Sequence, residues 1–468
     1  MSISPLKENV LPLPPKSVFK LLGPSFILIG LGLGTGELIL WPYLVANWGL
    51  GIIWGALLGI TMQFFLNMEI ERYALANGES VFVGFARLYK KIPYWFIFST
   101  VFAWSWPGFS AVAAEVLKPF GLTNSTMVAV IMLVIVGLIL TFGPVLYKTV
   151  ESFQKILIFV GVPVILFIVV YVANLDDVIA LFKGMVGVGE GYKFFPKGLP
   201  LMSFLAAFAY SGAGGNLNLA QSFYIKEKGY GMGKYAGRIT SLITGKGENV
   251  EIEGSTFKPD SAQVKIFNKW WKMVNIEHAL VFWGLGIVTI FLLALLSFST
   301  VYDKSGNVEG INFIFNQAQV ITTSIGPIFG ALLLIITSLM LFSTQLAVID
   351  AAGRIVSENI VLLVPSLKKS PKIMPKIYYA SIWILLLFGI IVLLAGNSEP
   401  RFLIVLGAIL NAFCMFVFSG ILIKLNTKLL PKEIHPSLFR KIVVYVTFVF
   451  FGVFSFLVIY NALIKFLF

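Results

Sequence analysis

The chain has one cysteine, Cys414, and two histidines, His278 and His435. That scarcity excludes a disulfide framework and a thiolate or imidazole zinc site, because each draws several ligands from those two residue types. Charge is scarce as well: Asp, Glu, Lys and Arg make up 12% of the 468 residues, against about 25% in a soluble domain. No combination of nucleophile, base and orienting group is visible among the residues of the apolar segments, so the sequence is not read as an enzyme and no cofactor is expected. The first 17 residues, MSISPLKENVLPLPPKS, lack a short apolar core followed by a cleavage-like site, so no removable signal peptide is expected and the first apolar span should direct insertion.

What the chain has in abundance is apolar length. Hydrophobic residues make up 58% and aromatics 15%, with a mean hydropathy of +0.90, which is the composition of a polytopic membrane protein. Apolar runs of roughly 20 residues cross about 30 Å of hydrocarbon as helix. They are expected over residues 18–46, 51–75, 93–117, 124–146, 150–174, 198–224, 273–300, 324–350, 376–397, 402–424 and 440–466. Alternating ten-residue segments of the membrane-barrel kind are absent from the sequence. Most of the 35 Lys and Arg residues fall in alternate connections on the side of the N-terminus, which predicts a cytoplasmic N-terminus and an outside C-terminus in the cell membrane. The net charge of +13 is then chiefly a topology signal, facing anionic lipid and not nucleic acid. Residues 225–272 form a long polar cytoplasmic connection. The alternation at Val250 and Ile252 predicts a short hairpin within 245–260, followed by an amphipathic basic stretch ending at Lys269, Trp270, Trp271 and Lys272. Such a connection is either a linker or a surface for a partner, as in a membrane sensor or scaffold.

Two spans carry glycine clusters. In the first, GLGTGELILWP (residues 32–42) contains Gly34, Thr35, Gly36 and the carboxylate Glu37; in the sixth, FAYSGAGGNLNLAQS (208–222) contains Tyr210, Ala213, Gly214, Gly215 and Asn216. Glycines at mid-span either allow close helix packing or mark unwound stretches, whose freed backbone groups must face a cavity. Two such zones five spans apart suggest inverted repeats of five helices, residues 18–174 and 198–424, with the substrate between the breaks and an added helix at 440–466. Glu37 can sit in the first turn of a second half-helix, where free amides favour negative charge, or it can act as a cation ligand or proton carrier. Glu115 is read either as an outer-end partner of Lys118 or as part of a proton path. Ser343 and Thr344 in the eighth span could supply oxygens to a hard cation such as Na⁺. Asp350, Arg354 and Glu358 read as a charge cluster at a cytoplasmic helix end.

These features resemble the Nramp family of divalent-metal transporters. The resemblance rests on GPSF at 23–26, the glycine-rich stretch eleven residues later, AEV at 114–116, NLNL at 216–219 and eleven spans starting inside. It implies an all-α, LeuT-like fold of two inverted five-helix repeats plus an eleventh helix, with substrate bound at unwound stretches of helices one and six and transport often driven by protons. The family's metal-binding motifs depart here. In place of Asp-Pro-Gly-Asn stand Gly34, Thr35, Gly36 and Glu37, and in place of Met-Pro-His stand Ala213, Gly214 and Gly215. A thioether favours soft or borderline transition metals, so its loss leaves a cation carrier with hard oxygen ligands, Glu37 foremost, and H⁺ or Na⁺ as coupling ion. The first-span stretch also resembles the glycine-rich first helix of amino-acid permeases, which keeps a carrier of an amino acid or other organic solute as the alternative.

Overall fold

The computed structural model describes residues 3–143, 146–237, 239, 251–364, 366–367, 373–396 and 399–467. Among these, ten helices are long and apolar enough to cross a membrane: Pro24–Trp48, Leu50–Asn77, Ile92–Glu115, Ser125–Phe142, Leu146–Val172, Ser261–Val301, Pro327–Leu363, Ile373–Leu394, Pro400–Lys428 and Leu438–Val458. They match the first to fifth and seventh to eleventh expected spans. The third is interrupted between Trp104 and Gly108, and the sixth, which is not among the ten, is broken more widely. Its helix Leu201–Ala209 stops, and the chain resumes helical turns at Gly215–Ala220 and Gln221–Lys228.

That interruption follows from the glycines. Gly212, Gly214 and Gly215 take φ values of 150°, 73° and 51°, a region costly for any residue with a Cβ. The first span behaves differently, and here the expectation of an unwound stretch is corrected. Residues Leu33–Leu40 widen into a π-helix that runs without a gap into the helix Trp41–Trp48. The amide of Trp41 reaches back five residues to the Gly36 carbonyl. Pro42 gives the reason. Its ring would strike the carbonyl four residues back in a regular α-helix, and one widened turn moves that carbonyl aside while the backbone bonds stay made.

Two other boundaries shift. The polar connection ends earlier than residue 272, because the seventh helix already begins at Ser261, capped by Asp260, and Phe267 and Trp270 are buried on its inner face. Of the expected hairpin, residues 240–250 lie outside the described residues. The described part, Ser255–Thr256, pairs in parallel with Lys7–Glu8 of the N-terminal segment. That segment is tied down further by the Trp270 indole donating to the Pro12 carbonyl at 2.6 Å and the Leu11 amide donating to Gln263 at 2.8 Å. The eighth helix runs past 350 to Leu363, and Asp350, Arg354 and Glu358 are buried, not solvated at a helix end. Arg354 bonds Asp350 at 2.9 Å and also pairs with Glu227, and Lys226 lies 3.7 Å from Glu358. Buried charge persists because each member has an opposite partner.

On the same side, Glu79 is fully buried and accepts from Tyr73 at 2.6 Å, from Arg87 at 2.8 and 2.9 Å and from the Gly254 amide at 3.0 Å. One carboxylate thus joins the second span, the helix Val81–Leu88 and the sixth-to-seventh connection. Glu79→Ala leaves the buried Tyr73 phenol without its acceptor and strips the half-buried Arg87 of its carboxylate partner. It should destabilise the chain by about 3 kcal/mol, read as a lower midpoint in tryptophan-monitored thermal unfolding.

Candidate functional site

The break in the sixth span is held open by side chains of other helices. The Gln63 amide donates to the Ala209 carbonyl at 3.1 Å and its oxygen accepts from the Gly214 amide at 3.1 Å, so one side chain satisfies both loose ends. The Trp41 indole donates to Ser211 at 2.9 Å, and Asn411 donates to the Tyr210 hydroxyl at 3.0 Å. Tyr210 stacks on Trp104 with ring centres 5.7 Å apart.

The first span lies directly on this break, and its glycines are the reason it can. A Cβ on Gly36 would collide with the Tyr210 carbonyl oxygen, and one on Gly32 would sit 2.9 Å from the Gly212 carbonyl carbon. The alternating glycines therefore serve close approach between the first helix and the sixth-span break, not an unwound stretch of the first helix. Gly34 faces a different helix. Its amide donates to the Thr344 hydroxyl at 3.1 Å, and that hydroxyl donates to the Gly30 carbonyl at 2.8 Å. Thr344 thus spans the widened turn and has its hydroxyl engaged at both ends.

Glu37 is fully buried. It follows Gly36 in the chain and turns toward the seventh helix, where the Thr289 hydroxyl donates to Oε2. Its Oε1 has no hydrogen-bond partner. A carboxylate with one satisfied and one bare oxygen, within hydrocarbon depth, has a vacant coordination direction for a proton or a cation.

The remaining expected residues divide. Ala213, Gly214 and Gly215 are buried at the break, and Gly215 packs so tightly on Asn411 that a Cβ would strike the amide. Asn216 turns away from Glu37, donating to Ser99 at 2.8 Å and Thr100 at 2.9 Å on the third span. Ser343 offers its carbonyl to Gln154 at 3.0 Å, while its buried hydroxyl has no partner. Glu115 is not brought to the site; it pairs with Lys118 at the end of its helix. The Thr35 backbone lies in the widened turn, and its side chain is outside the described residues. Sequence reasoning missed Thr289, Gln154 and Asn411. Thr289 and Asn411 are each a lone polar residue in an apolar run, as in GIVTIF around Thr289, whereas Gln154 sits beside Glu151, Ser152 and Lys155; such a residue marks an intramembrane hydrogen-bond partner without saying for what. Among the described residues, no group of three or more His, Cys, Asp and Glu is placed to hold a metal ion.

A broken sixth helix packed on a modified first helix within a bundle of spanning helices defines a LeuT-like membrane protein. No family model matches the sequence. No curated protein matches it either. Solved structures do. A mutant of the manganese transporter of Eremococcus coleocola superposes with a TM-score of 0.66 at 14% identity, covering 98% of this chain and 90% of that one. The same transporter in complex with an aromatic bis-isothiourea substituted compound gives 0.63 at 14% identity, with 97% and 90% covered. The likeness runs through nearly the whole chain and shows the fold: an all-α, multi-pass bundle of the LeuT-like kind shared with that transporter.

Three substitutions at two positions test this geometry. Gln63→Leu removes the partners of two buried backbone groups, each costing about 1–3 kcal/mol, and should lower the thermal midpoint. Gln63→Glu keeps an acceptor for the Gly214 amide and should lower it less. Gly36→Ala should push the first helix off Tyr210 and abolish any function of the site even where the protein remains monodisperse in size-exclusion chromatography.

Proposed function

We propose that the chain is a secondary active transporter of a cation, a metal ion in the leading reading, working by alternating access with its cargo at the contact between the first span and the sixth-span break. The observation that carries this is the buried Glu37 carboxylate, bonded through one oxygen to Thr289 and bare at the other. The donors shown at Glu37 are oxygens, its own carboxylate and the Thr289 hydroxyl. Such donors suit a hard cation more than a soft one. The solved relatives in fold include a manganese transporter, which supports metal-ion cargo; the oxygen pair of Glu37 and Thr289 favours a hard ion.

Gly34, Gly36, Ala213, Gly214 and Gly215 form the backbone walls of this site, and the three positive-φ glycines of the sixth span are its hinge. Cargo moves together with H⁺ or Na⁺, the basic side of the molecule faces the cytoplasm, and the C-terminus lies outside.

Flux into liposomes containing the purified chain, measured across Mg²⁺, Ca²⁺, Mn²⁺ and Na⁺, with pH gradients and amino acids as competitors, tests this. Cation uptake that falls at least tenfold in Glu37→Gln is the expected result. Uptake unchanged by that substitution overturns the role of Glu37, and uptake blocked by amino acids but indifferent to cations assigns the organic-solute alternative.

A further inference from the structure

A second buried polar cluster lies at the other end of the first span, where the proposed transport cycle gives it no role. It joins four helices. Ser25, in the first turn of the helix beginning at Pro24, donates its hydroxyl to Glu277 Oε2 at 2.5 Å. The Ser25 hydroxyl oxygen lies 2.8 Å from His278 Nδ1. His278 Nδ1 is in turn 3.5 Å from Glu71 Oε1 of the second span, and that oxygen accepts from Gln221, just past the sixth-span break. Glu71, Glu277, His278, Ser25 and Gln221 are all buried.

The hydrogen-bond directions are determined by their donors. A Ser25 hydroxyl that donates to Glu277 can only accept from His278, so Nδ1 carries hydrogen and Nε2 is the bare nitrogen of the neutral ring. His278 Nε2 and Glu71 Oε2 are both buried without a partner. The imidazole is clamped between two rings, Phe282 at 4.7 Å and Phe64 at 5.6 Å, both nearly parallel to it. It cannot turn to find water.

The two carboxylates differ in surroundings. Burial opposes charge on Glu277, and the Gly23 and Ser25 amides at the start of the first helix and the Lys228 ammonium offset part of that cost. Glu71 is buried as well and faces Glu277 across the cluster, with Arg440 as an opposing cation; that guanidinium is already engaged by Glu69 and Asn275. Tyr230, Tyr147 and Glu151 complete the titratable groups around the cluster, and Lys228 is shared with Glu151 at 3.0 Å. Two carboxylates held in each other's field in a dry site do not both ionise readily.

From this geometry we infer that Glu71 and His278 form a proton-binding site, with Glu277 as its fixed counter-charge, and that Ser25 links its protonation to the position of the first half of span one. A proton resides on Glu71 Oε2 or His278 Nε2, two of the cluster's bare atoms beside Glu277 Oε1 and Gln221 Oε1, while the N-terminal side is closed. When that half-helix swings away, Ser25 leaves the cluster, water enters, and the proton departs to the N-terminal side. The site is about 18 Å from Glu37 along the helix at 1.5 Å per residue, so cargo and proton occupy separate places. The inference rests on the transport reading in one respect, that the first half-helix moves.

The test reads that movement directly. Spin labels at Lys20→Cys and Lys90→Cys, both exposed, are introduced with the buried Cys414 replaced by alanine, and their separation is measured by pulsed electron resonance in lipid nanodiscs at pH 5.5 and pH 8.5. Expected is a single short distance at pH 5.5 and a second, longer population at pH 8.5. In Glu71→Gln, which mimics the protonated acid, the short distance should hold at both pH values, and Ser25→Ala should weaken the pH response. The exposed Glu433→Gln should shift as the parent does. A parent distance independent of pH, or a shift that survives in Glu71→Gln, overturns the site. Failure of liposome flux for every cation and solute, with the pH-dependent shift intact, would instead strike the transport reading and leave the proton site standing.

Discussion

Inside hydrocarbon, a backbone amide or carbonyl without a partner costs several kcal/mol, and the contacts of the first, second and tenth spans are organised around a place where that demand is not met by the helix itself. Between Ala209 and Gly215 the sixth span gives up its own hydrogen bonds. Gln63 takes over both broken ends from the second span, Trp41 reaches Ser211 from the first, and Asn411 reaches Tyr210 from the tenth. The break thereby draws three other helices into fixed contact. A segment that would be a defect in a simple bundle becomes its centre.

The first helix meets that centre without being broken itself. Gly32 and Gly36 face the exposed carbonyls of the sixth span, Gly34 faces Thr344, and the widened turn absorbs Pro42. Because three faces of one helix are occupied by contacts this close, Glu37 is left a single direction, toward Thr289. At the N-terminal end of the same helix, Ser25 binds the Glu277 and His278 pair, and the segment before it is held by Trp270 and by the two-residue strand pairing. The helix therefore carries polar attachments at both ends of its length, which is what a moving element in a coupled cycle requires.

The helical spans were legible in the sequence because apolar length is a direct consequence of membrane thickness, and the sixth-span break was legible because Gly212, Gly214 and Gly215 are clustered where only glycine takes the needed φ. The same signal misled in the first span. Alternating glycines serve close approach as readily as unwinding, and only the facing backbone of Gly212 and Tyr210 decides between them. The charge cluster at Asp350, Arg354 and Glu358 read as a solvated helix end because its partners, Glu227 and Lys226, come from a distant part of the chain. Glu37 stood out as a carboxylate in an apolar run, but Thr289, 252 residues away, could not be paired with it from the sequence. Contacts between helices are long-range, and local pattern carries no register for them.

The central claim is that Glu37 holds the cargo ion. Electron cryomicroscopy of the full chain in nanodiscs, with and without saturating Ca²⁺ and Mn²⁺, tests it most directly. The account predicts an added density within about 2.0–2.6 Å of Glu37 Oε1, absent without ion and absent in Glu37→Gln. Ion density elsewhere in the molecule with Glu37 unchanged, in a protein that transports the same ion, would contradict it.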